Sequence, residues 1–247
     1  MTAQLQTSEG IASITIARPA RKNALDLATY GALADAFEAV AADPAARAVV
    51  LAGEGDVFCA GNDIGDFLAR PSIAPGDPPV RFMHALSRCP VPVVAAVRGA
   101  AVGIGTTMLL HCDFVYCADT TRLSLPFVHL GLCPEYASSL LLPRRAGYLR
   151  AAEKLLLGDP ISPEDALEMG IVSRILPEAE VLPWARRQAA RIAALAPGAV
   201  RETKRLLRRG EALAVDETID EELRSFATRL QSPEARAALQ AFLDGRK

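Results

Sequence analysis

The sequence has few aromatic residues, few histidines and no excess of charge of either sign. Aromatic residues make up 5% of its 247 residues, histidine occurs three times, and the formal net charge is -2. Proteins that bind a nucleic acid backbone usually carry clustered positive charge that outweighs their acidic residues. No nucleic-acid partner is therefore predicted, and the 51% hydrophobic content is that of a globular protein with a sizeable core.

Metal-binding and disulfide patterns are also missing. The cysteines are odd in number, lie in apolar stretches, and form no CxxC or His/Cys cluster with the spacing of a metal site. They are Cys59, Cys89, Cys112, Cys117 and Cys133. We predict reduced core thiols and no bound metal.

Targeting and membrane-spanning patterns are lacking as well. The N-terminal MTAQLQTSEG has no basic region followed by an apolar one, and the final FLDGRK is not an SKL-type peroxisomal address. Residues 91–110 are about as long as a membrane span, but Arg98 and the turn glycines Gly99, Gly103 and Gly105 predict a buried strand, a turn and a buried helix. A cytoplasmic protein with no membrane partner is expected.

Short apolar runs that alternate with amphipathic segments predict an α/β fold. A strand around residues 13–16 precedes a helix at 27–42 with Asp26 as its N-cap, and the wholly apolar run at 48–53 is typical of a strand buried on both faces. The next predicted elements are a helix at 80–88, a strand at 91–97, a helix at 103–111 and a strand at 114–117. Such alternation favours strands stacked in successive turns, although a doubly wound sheet has the same pattern.

Beyond Pro143 the pattern changes to helices, apart from a short strand at 172–176. Ser162 is a predicted N-cap because a proline and two acidic residues follow it. We divide the chain into an α/β core at residues 1–190 and a C-terminal helical region at 191–247. Five basic residues between 201 and 209 most often form a solvated helix face, and the alternative is a site for an anionic group such as a phosphate.

Two glycine-containing turns each follow a predicted buried strand. Where such a turn opens a helix, its backbone N–H groups have no partner and point at a common volume, which suits a developing oxyanion. The alternative is an ordinary loop whose glycines adopt positive φ. Neither turn matches G-x-G-x-x-G or a P-loop, so neither predicts binding of a dinucleotide or a nucleoside triphosphate.

Three ordered segments resemble the signature segments of the enoyl-CoA hydratase/isomerase (crotonase) superfamily. They are FCAGND at residues 58–63, GAAVGIGTT at 99–107 and LPFVHLGLCPE at 125–135. The resemblance implies a core of repeated ββα turns, a C-terminal helical region for trimerisation and active-site cover, and assembly as a trimer or hexamer. It also implies an acyl-CoA thioester substrate and no cofactor, since the CoA is part of the substrate.

The resemblance extends to individual residues. The backbone N–H groups of Asn62 and Ile104 match the two donors of the family's oxyanion hole. Gly65 stands where relatives often have a lysine, so one CoA contact is expected to be missing. The residues that match the CoA-binding positions are Lys22, Ala24, Ala60, Gly61, Asp63 and Ile64.

Departures from the family pattern bear on the reaction. Hydratases of this family use two glutamates, and the matching positions here are Thr107 and Phe127, neither of which can act as a base. Glu135 lies in a segment similar to that of the peroxisomal type of Δ3,Δ2-enoyl-CoA isomerase, whose single catalytic glutamate occupies this place. The alternative for Glu135 is an ordinary residue in the first turn of a helix.

The reaction that this resemblance implies is the shift of a 3-enoyl-CoA double bond to give 2-trans-enoyl-CoA, with Glu135 as the base. Apolar neighbours such as Phe127, Leu130 and Leu132 are expected to raise the pKa of this glutamate. Two alternatives stay open: another crotonase-type reaction, such as hydration or thioester hydrolysis, and a non-catalytic acyl-CoA binder.

Other polar residues near the third segment are expected to have structural roles. His129 lies in an apolar stretch and is predicted to be a core residue or a support for the site. Ser138 and Ser139 predict the start of a helix, because no G-x-S-x-G elbow surrounds them.

Overall fold

The computed structural model describes residues 2–69, 74 and 76–245, and its strands form two sheets. The larger sheet has the order β1-β2-β3-β4-β6-β8 and is parallel except for the β1–β2 pair, whereas β5 and β7 pair in the smaller sheet. In chain order the strands are β1 (Ala3–Ser8), β2 (Ile11–Ile16), β3 (Ala48–Gly53), β4 (Val93–Val97), β5 (Ala100–Val102), β6 (Phe114–Ala118), β7 (Arg122–Ser124) and β8 (Arg174–Leu176).

Helices connect the strands and then make up most of the C-terminal third. Short 3-10 helices lie at Pro19–Arg21, Met108–His111 and Val128–Leu130. The α-helices of the described residues are α1 (Leu27–Ala42), α2 (Ile64–Ala69), α3 (Pro78–Ser87), α4 (Ile104–Thr107), α5 (Ser138–Ala146), α6 (Tyr148–Leu157), α7 (Pro163–Glu168), α8 (Glu178–Ala193), α9 (Pro197–Arg208), α10 (Ala212–Leu230) and α11 (Pro233–Leu243).

Successive turns of the chain add one strand to each sheet. Strands β4 and β6 join the larger sheet, and the strands that follow them, β5 and β7, join the smaller one. Isolated bridges from Cys59 to Ala101 and from Leu123 to Ile161 extend the smaller sheet at both edges. The predicted α/β class with repeated ββα turns is confirmed.

The central strands are apolar throughout because both faces of the larger sheet are covered. In β3, Val49 and Leu51 belong to the main core, whereas Ala48 and Val50 point to a second cluster packed beneath α8. This two-sided burial explains the unbroken apolar run that the sequence shows at residues 48–53.

Local signals predicted the starts of two helices correctly. Asp26 accepts a hydrogen bond from the Thr29 backbone N–H at 2.8 Å, and Ser162 accepts one from that of Asp165 at 3.0 Å, as N-caps do. Strand β1 was not predicted because five of its six residues are exposed, so it lacks the alternation of a half-buried strand. The single helix predicted at 103–111 is a four-residue α-helix followed by a 3-10 helix.

The C-terminal helices fold back on the core. Lys204 of α9 is buried, and its ammonium group lies 2.6 Å from the Asp113 carboxylate and 2.7 Å from the Val91 carbonyl oxygen. The solvated face predicted for the basic run is therefore wrong at Lys204, although Arg205 and Arg209 are exposed. The division predicted at residue 190 stays a prediction, and that position lies within α8.

Tight packing brings the last helix against the third signature segment. A Cβ atom on Gly131 would lie 2.8 Å from the Ala235 backbone nitrogen at the start of α11.

Within the part of the chain that the structure describes, no helix is both long and apolar enough to cross a membrane.

Candidate active site

The two glycine turns pack directly against each other. Cys59 of the first turn donates from its N–H to the Ala100 carbonyl at 3.1 Å and accepts from the Val102 N–H at 3.0 Å. A Cβ atom on Gly105 would lie 2.5 Å from the Cys59 carbonyl oxygen, which is too close for any side chain. Glycine at this position therefore permits the contact that holds the two turns in register.

The backbone N–H groups of Asn62 and Ile104 belong to these two adjacent turns. Each residue lies three positions beyond a member of the Cys59–Ala101 bridge. A Cβ atom on Gly61, which precedes Asn62, would lie 3.1 Å from the Val102 carbonyl oxygen. Ile104 begins α4, where the first N–H groups have no acceptor within the helix. Among the described residues neither N–H has a hydrogen-bond acceptor, so both are available to an anionic oxygen.

Glu135 is buried beside the first turn. Its side chain is only 3% exposed, and its Oε1 atom lies 3.4 Å from the Asn62 Nδ2 atom, which donates to it. The Asn62 amide is oriented from its other end, because the Tyr30 hydroxyl donates to its Oδ1 atom at 2.5 Å. Hydrogen bonds thus connect the side chains of Tyr30, Asn62 and Glu135 in a chain that runs from α1 to the carboxylate.

The backbone that follows Glu135 has an unusual conformation. Tyr136 and Ala137 adopt φ values of 61° and 54°, in the left-handed region that side chains with a Cβ atom disfavour. The Tyr136 carbonyl accepts a hydrogen bond from His111 Nε2 at 2.8 Å, and the two rings stack with centroids 3.8 Å apart. Packing and hydrogen bonds therefore hold this turn in place.

Burial makes Glu135 a weak acid. Removal from water is the main cause that raises its pKa to about 8, and the nearby Glu222 carboxylate raises it further, whereas the hydrogen bond from Asn62 lowers it. The expectation of a raised pKa for Glu135 is confirmed. Of the apolar residues expected near it, Phe127 and Leu132 are buried in the main core, whereas Leu130 is only partly buried against it. Burial lowers the pKa of His111 to about 3, so this ring is neutral and its Nε2–H donates to Tyr136.

Replacing Glu135 with glutamine is expected to remove a pH-dependent loss of stability. The folded-state pKa of about 8 exceeds the ordinary 4.5, so the stabilisation from the protonated carboxyl is complete below about pH 4.5 and is lost as the pH rises to about 8. The unfolding free energy of Glu135→Gln minus that of the wild type should therefore increase between acid and pH values above 8. The increase should be at most roughly 5 kcal/mol. Urea unfolding of both proteins across this range measures the effect.

The matched control for this stability measurement is Glu153→Gln, because Glu153 is an exposed residue of α6. Its unfolding free energy should follow that of the wild type at every pH. Parallel pH curves for Glu135→Gln and the wild type would show that Glu135 ionises normally in the folded state.

The residues predicted to contact CoA line one wall next to Asn62. The Lys22 carbonyl accepts from the Ala60 N–H at 3.0 Å, and the Gly61 carbonyl accepts from the Leu25 N–H at 2.8 Å. Ala24 lies between these two contacts, and Ile64 begins α2 and packs against the core. The structure therefore brings all the predicted positions together, while their contact with CoA stays a prediction.

Asp63 has ionic partners within this wall. Its Oδ2 atom lies 3.4 Å from the Arg18 guanidinium and 3.6 Å from that of Arg21. These contacts tie the first turn to the chain that leaves β2. Neutralisation by two arginines leaves Asp63 suited to holding the wall rather than to acting as a base.

The positions that match the hydratase glutamates lie in the core. Thr107 is fully buried, with its hydroxyl 3.5 Å from the Ile104 carbonyl oxygen, and Phe127 is 4% exposed. Neither side chain can accept a proton from water at neutral pH. Of the three positions that match catalytic glutamates of the family, Glu135 alone carries a carboxylate.

Sequence reasoning missed three contributions to the site. It assigned Asn62 a backbone role only, and it found neither Tyr30 nor Glu222, because these residues lie in distant helices without a motif of their own. The core position expected for His129 is wrong, since this side chain is exposed beside Gly158, and the alternative of a support for the site stays a prediction. Ser138 begins α5, as predicted.

The basic run lies beside a different cavity. This cavity has a volume of about 780 Å³, and Asp113, Arg145, Lys204 and Arg208 contribute to its lining. Several of its cations are already bound to backbone carbonyls or to Asp113. Its described lining does not include Glu135 or Asn62, so it is separate from the group around the glycine turns.

Comparison with known proteins agrees with this fold and identifies the family. A family model described as enoyl-CoA hydratase/isomerase matches residues 6–247. A probable enoyl-CoA hydratase of Rhodobacter capsulatus is 32% identical over 99% of this chain and 96% of its own length. Enoyl-CoA delta isomerase 2 of Rattus norvegicus is 34% identical over 97% of this chain but only 63% of its own length.

A solved structure gives the same result. The OdaA protein of Pseudomonas aeruginosa is 46% identical, with a TM-score of 0.95 over 98% of each chain. The relatives are named both as hydratases and as isomerases, so they support a crotonase-type acyl-CoA reaction without distinguishing the two activities. This chain belongs to the enoyl-CoA hydratase/isomerase family.

Proposed function

We propose that this enzyme is an enoyl-CoA isomerase that converts a 3-enoyl-CoA into the 2-trans-enoyl-CoA. One arrangement carries the proposal: the buried Glu135 carboxylate accepts a hydrogen bond from the Asn62 side chain, and the backbone N–H groups of Asn62 and Ile104 have no acceptor among the described residues. The two positions where hydratases have glutamates carry Thr107 and Phe127 instead.

In the proposed mechanism Glu135 moves one proton between two carbons. The ionised carboxylate removes a proton from C2, and the electron pair moves to the thioester oxygen, which becomes an enolate held by the Asn62 and Ile104 N–H groups. The protonated Glu135 then delivers the same proton to C4 as the carbonyl re-forms and the double bond moves to C2–C3. The proton returns to the substrate, so the reaction needs no cofactor.

The environment of Glu135 suits this proton transfer. A carboxylate with a pKa of about 8 is a much stronger base than an ordinary glutamate, and the proton it removes is weakly acidic. The Asn62 amide stabilises the ionised form without neutralising it, and Tyr30 keeps that amide in place. The apolar surroundings also keep water away from the enolate.

Hydration is the main alternative, because some relatives are named hydratases. It needs a second carboxylate to help position and activate water. The other buried carboxylate near Glu135 is Glu222, but its two oxygens accept hydrogen bonds from the Ala137 and Ser139 N–H groups. This occupancy favours isomerisation over hydration.

A homo-oligomer, either a trimer or a hexamer, is part of the proposal. Leucines on α6 and α9 are well exposed, including Leu149 at 82% and Leu207 at 79%, and such residues fit an interface with further copies of the chain. The acyl-CoA wall near Lys22 and Ala24 and a cytoplasmic location are also proposals. They rest on the family resemblance and on the sequence.

Two substrates distinguish the candidate reactions. We expect conversion of 3-enoyl-CoA into the conjugated thioester, measured by its ultraviolet absorbance, over several acyl chain lengths. Loss of the conjugated signal from crotonyl-CoA through hydration should be negligible compared with a typical turnover of about 10 per second. Rapid hydration without isomerisation would reject the proposed function, and inactivity with both substrates but binding of acyl-CoA would favour a binder.

A further inference from the structure

Glu222 reaches the site from a helix that is distant in sequence. It lies on α10, is 7% exposed, and accepts hydrogen bonds from Ala137 N at 2.5 Å and Ser139 N at 2.9 Å through different carboxylate oxygens. Within the described residues no cation forms a salt bridge with it. A buried acid without a cationic partner is costly, so these backbone contacts must account for its presence.

The hydrogen bonds to Glu222 supply the N-cap acceptor that the start of α5 lacks. Ala137 precedes this helix in the N-cap position but has no side-chain oxygen to accept from the first N–H groups. The Glu222 carboxylate accepts two of them and places its negative charge at the positive end of the helix. It therefore acts as a cap supplied from another part of the chain.

The same contacts hold the turn that follows Glu135. Ala137 has φ 54° and Tyr136 has φ 61°, a pair of left-handed residues that needs external support. Ser138 closes the turn by donating from its hydroxyl to the Glu135 carbonyl oxygen at 2.7 Å. The direction of the Glu135 side chain thus depends on a turn in which the Ala137 N–H is bound to Glu222, as is the Ser139 N–H that follows it.

We propose that Glu222 is a positioning residue for Glu135, and that it holds the left-handed Tyr136–Ala137 turn so that the catalytic carboxylate faces the oxyanion-binding N–H groups. This inference rests on the proposed isomerase function. It also links the C-terminal helix α10 to the base, so that the base is correctly placed only when this helix is docked.

Glu222 also acts on Glu135 through charge, which makes the role measurable. The Glu222 carboxylate is the second-largest cause of the raised Glu135 pKa, after burial. The other titratable groups that face Glu135 are Tyr30, Cys59 and Cys133, whose pKa values are all raised by burial, to about 12 for Cys59 and about 11 for Cys133. These three groups are neutral near pH 8, so a change in Glu135 titration after mutation of Glu222 reports on Glu222.

Glu222→Gln tests the proposal because it preserves size but keeps only one acceptor oxygen and no charge. We expect kcat for isomerisation to fall about tenfold to a hundredfold with little change in KM, as a shift in position of the base predicts. The acid limb of the kcat profile should move to lower pH, because a like charge is lost. Glu222→Asp keeps the charge, so the acid limb of its kcat profile should not move to lower pH. Its kcat should still fall, because the shorter aspartate side chain reaches the Ala137 and Ser139 N–H groups less well.

The control is Glu217→Gln, an exposed residue on the same helix that should behave as the wild type. A role in stability alone would lower the melting temperature of Glu222→Gln and leave kcat and its pH limb unchanged, which would overturn the proposal. If Glu222→Gln does not fold, Glu222→Asp alone decides: wild-type kcat in this variant would overturn the positioning role.

A measurement without substrate separates this inference from the proposed function. Carbon-13 NMR of glutamate carboxyl groups should show a titration near pH 8 in the wild type that is absent in Glu135→Gln and moves to lower pH in Glu222→Gln. If the wild type fails to isomerise but this shift occurs, the proposed function fails and the link between Glu222 and Glu135 stands. Isomerisation with an unmoved titration and unchanged kcat in Glu222→Gln would reject only the positioning role.

Discussion

Glu135→Gln is expected to fold normally, to bind acyl-CoA, and to lose isomerase turnover by about a hundredfold to ten-thousandfold. Glutamine has the same size and can still accept a hydrogen bond from Asn62, but it cannot accept the C2 proton. The loss should lie in kcat rather than in acyl-CoA affinity, because Glu135 is proposed to act on the reacting carbons and not on the CoA. Kinetics with 3-enoyl-CoA and calorimetry with a saturated acyl-CoA measure the two quantities.

The pH profile of the wild type provides an independent check on this role. Turnover should fall on acidification through a single ionisation near pH 8, well above the range of an exposed glutamate, because only ionised Glu135 can act as the base. Glu153→Gln, on the exposed face of α6, should retain wild-type kinetics. Near-normal turnover of a folded Glu135→Gln protein would contradict the proposed mechanism and leave only the family assignment.

Ile104→Pro is expected to lower kcat by about a hundredfold to a thousandfold, because proline has no N–H to donate to the enolate oxygen. Proline is tolerated at the first position of a helix, and Ile104 is the first residue of α4, so the local fold should survive. Kinetics with 3-enoyl-CoA, together with circular dichroism to verify folding, measure the loss.

The matched control for the backbone donor is Ile104→Val. Ile104 is fully buried, so both substitutions remove part of its packing, but valine keeps the N–H. We expect Ile104→Val to lose about 1 kcal/mol of stability and little turnover. Equal loss of kcat in the two variants would mean that packing at Ile104, and not its N–H group, supports the reaction.

The two buried glutamates differ in which partners their oxygens bind. Glu135 accepts one hydrogen bond, from the Asn62 side chain, and has a raised pKa, whereas both oxygens of Glu222 accept hydrogen bonds from backbone N–H groups. A carboxylate whose two oxygens both hold backbone N–H groups is suited to positioning a turn rather than to activating water. The two buried glutamates therefore have distinct proposed roles, as base and as support.

The sequence by itself determined those features that depend on neighbouring residues or on ordered motifs. The apolar run of β3 predicted burial on both faces, and Asp26 and Ser162 predicted helix starts, because a cap bonds to a residue only three positions away. The order of the signature segments identified the family. The replacement of two hydratase glutamates by Thr107 and Phe127 left Glu135 as the candidate base.

Only the tertiary structure decided how Glu135 is held and how basic it is. Its hydrogen bond to Asn62 spans 73 residues, Tyr30 supports that amide from 32 residues away, and Glu222 binds the Ala137 N–H across 85 residues. Contacts of this range leave no periodicity or local motif in the sequence. The raised pKa depends on removal from water and on the Glu222 carboxylate, which lies near Glu135 only when α10 has packed against the core.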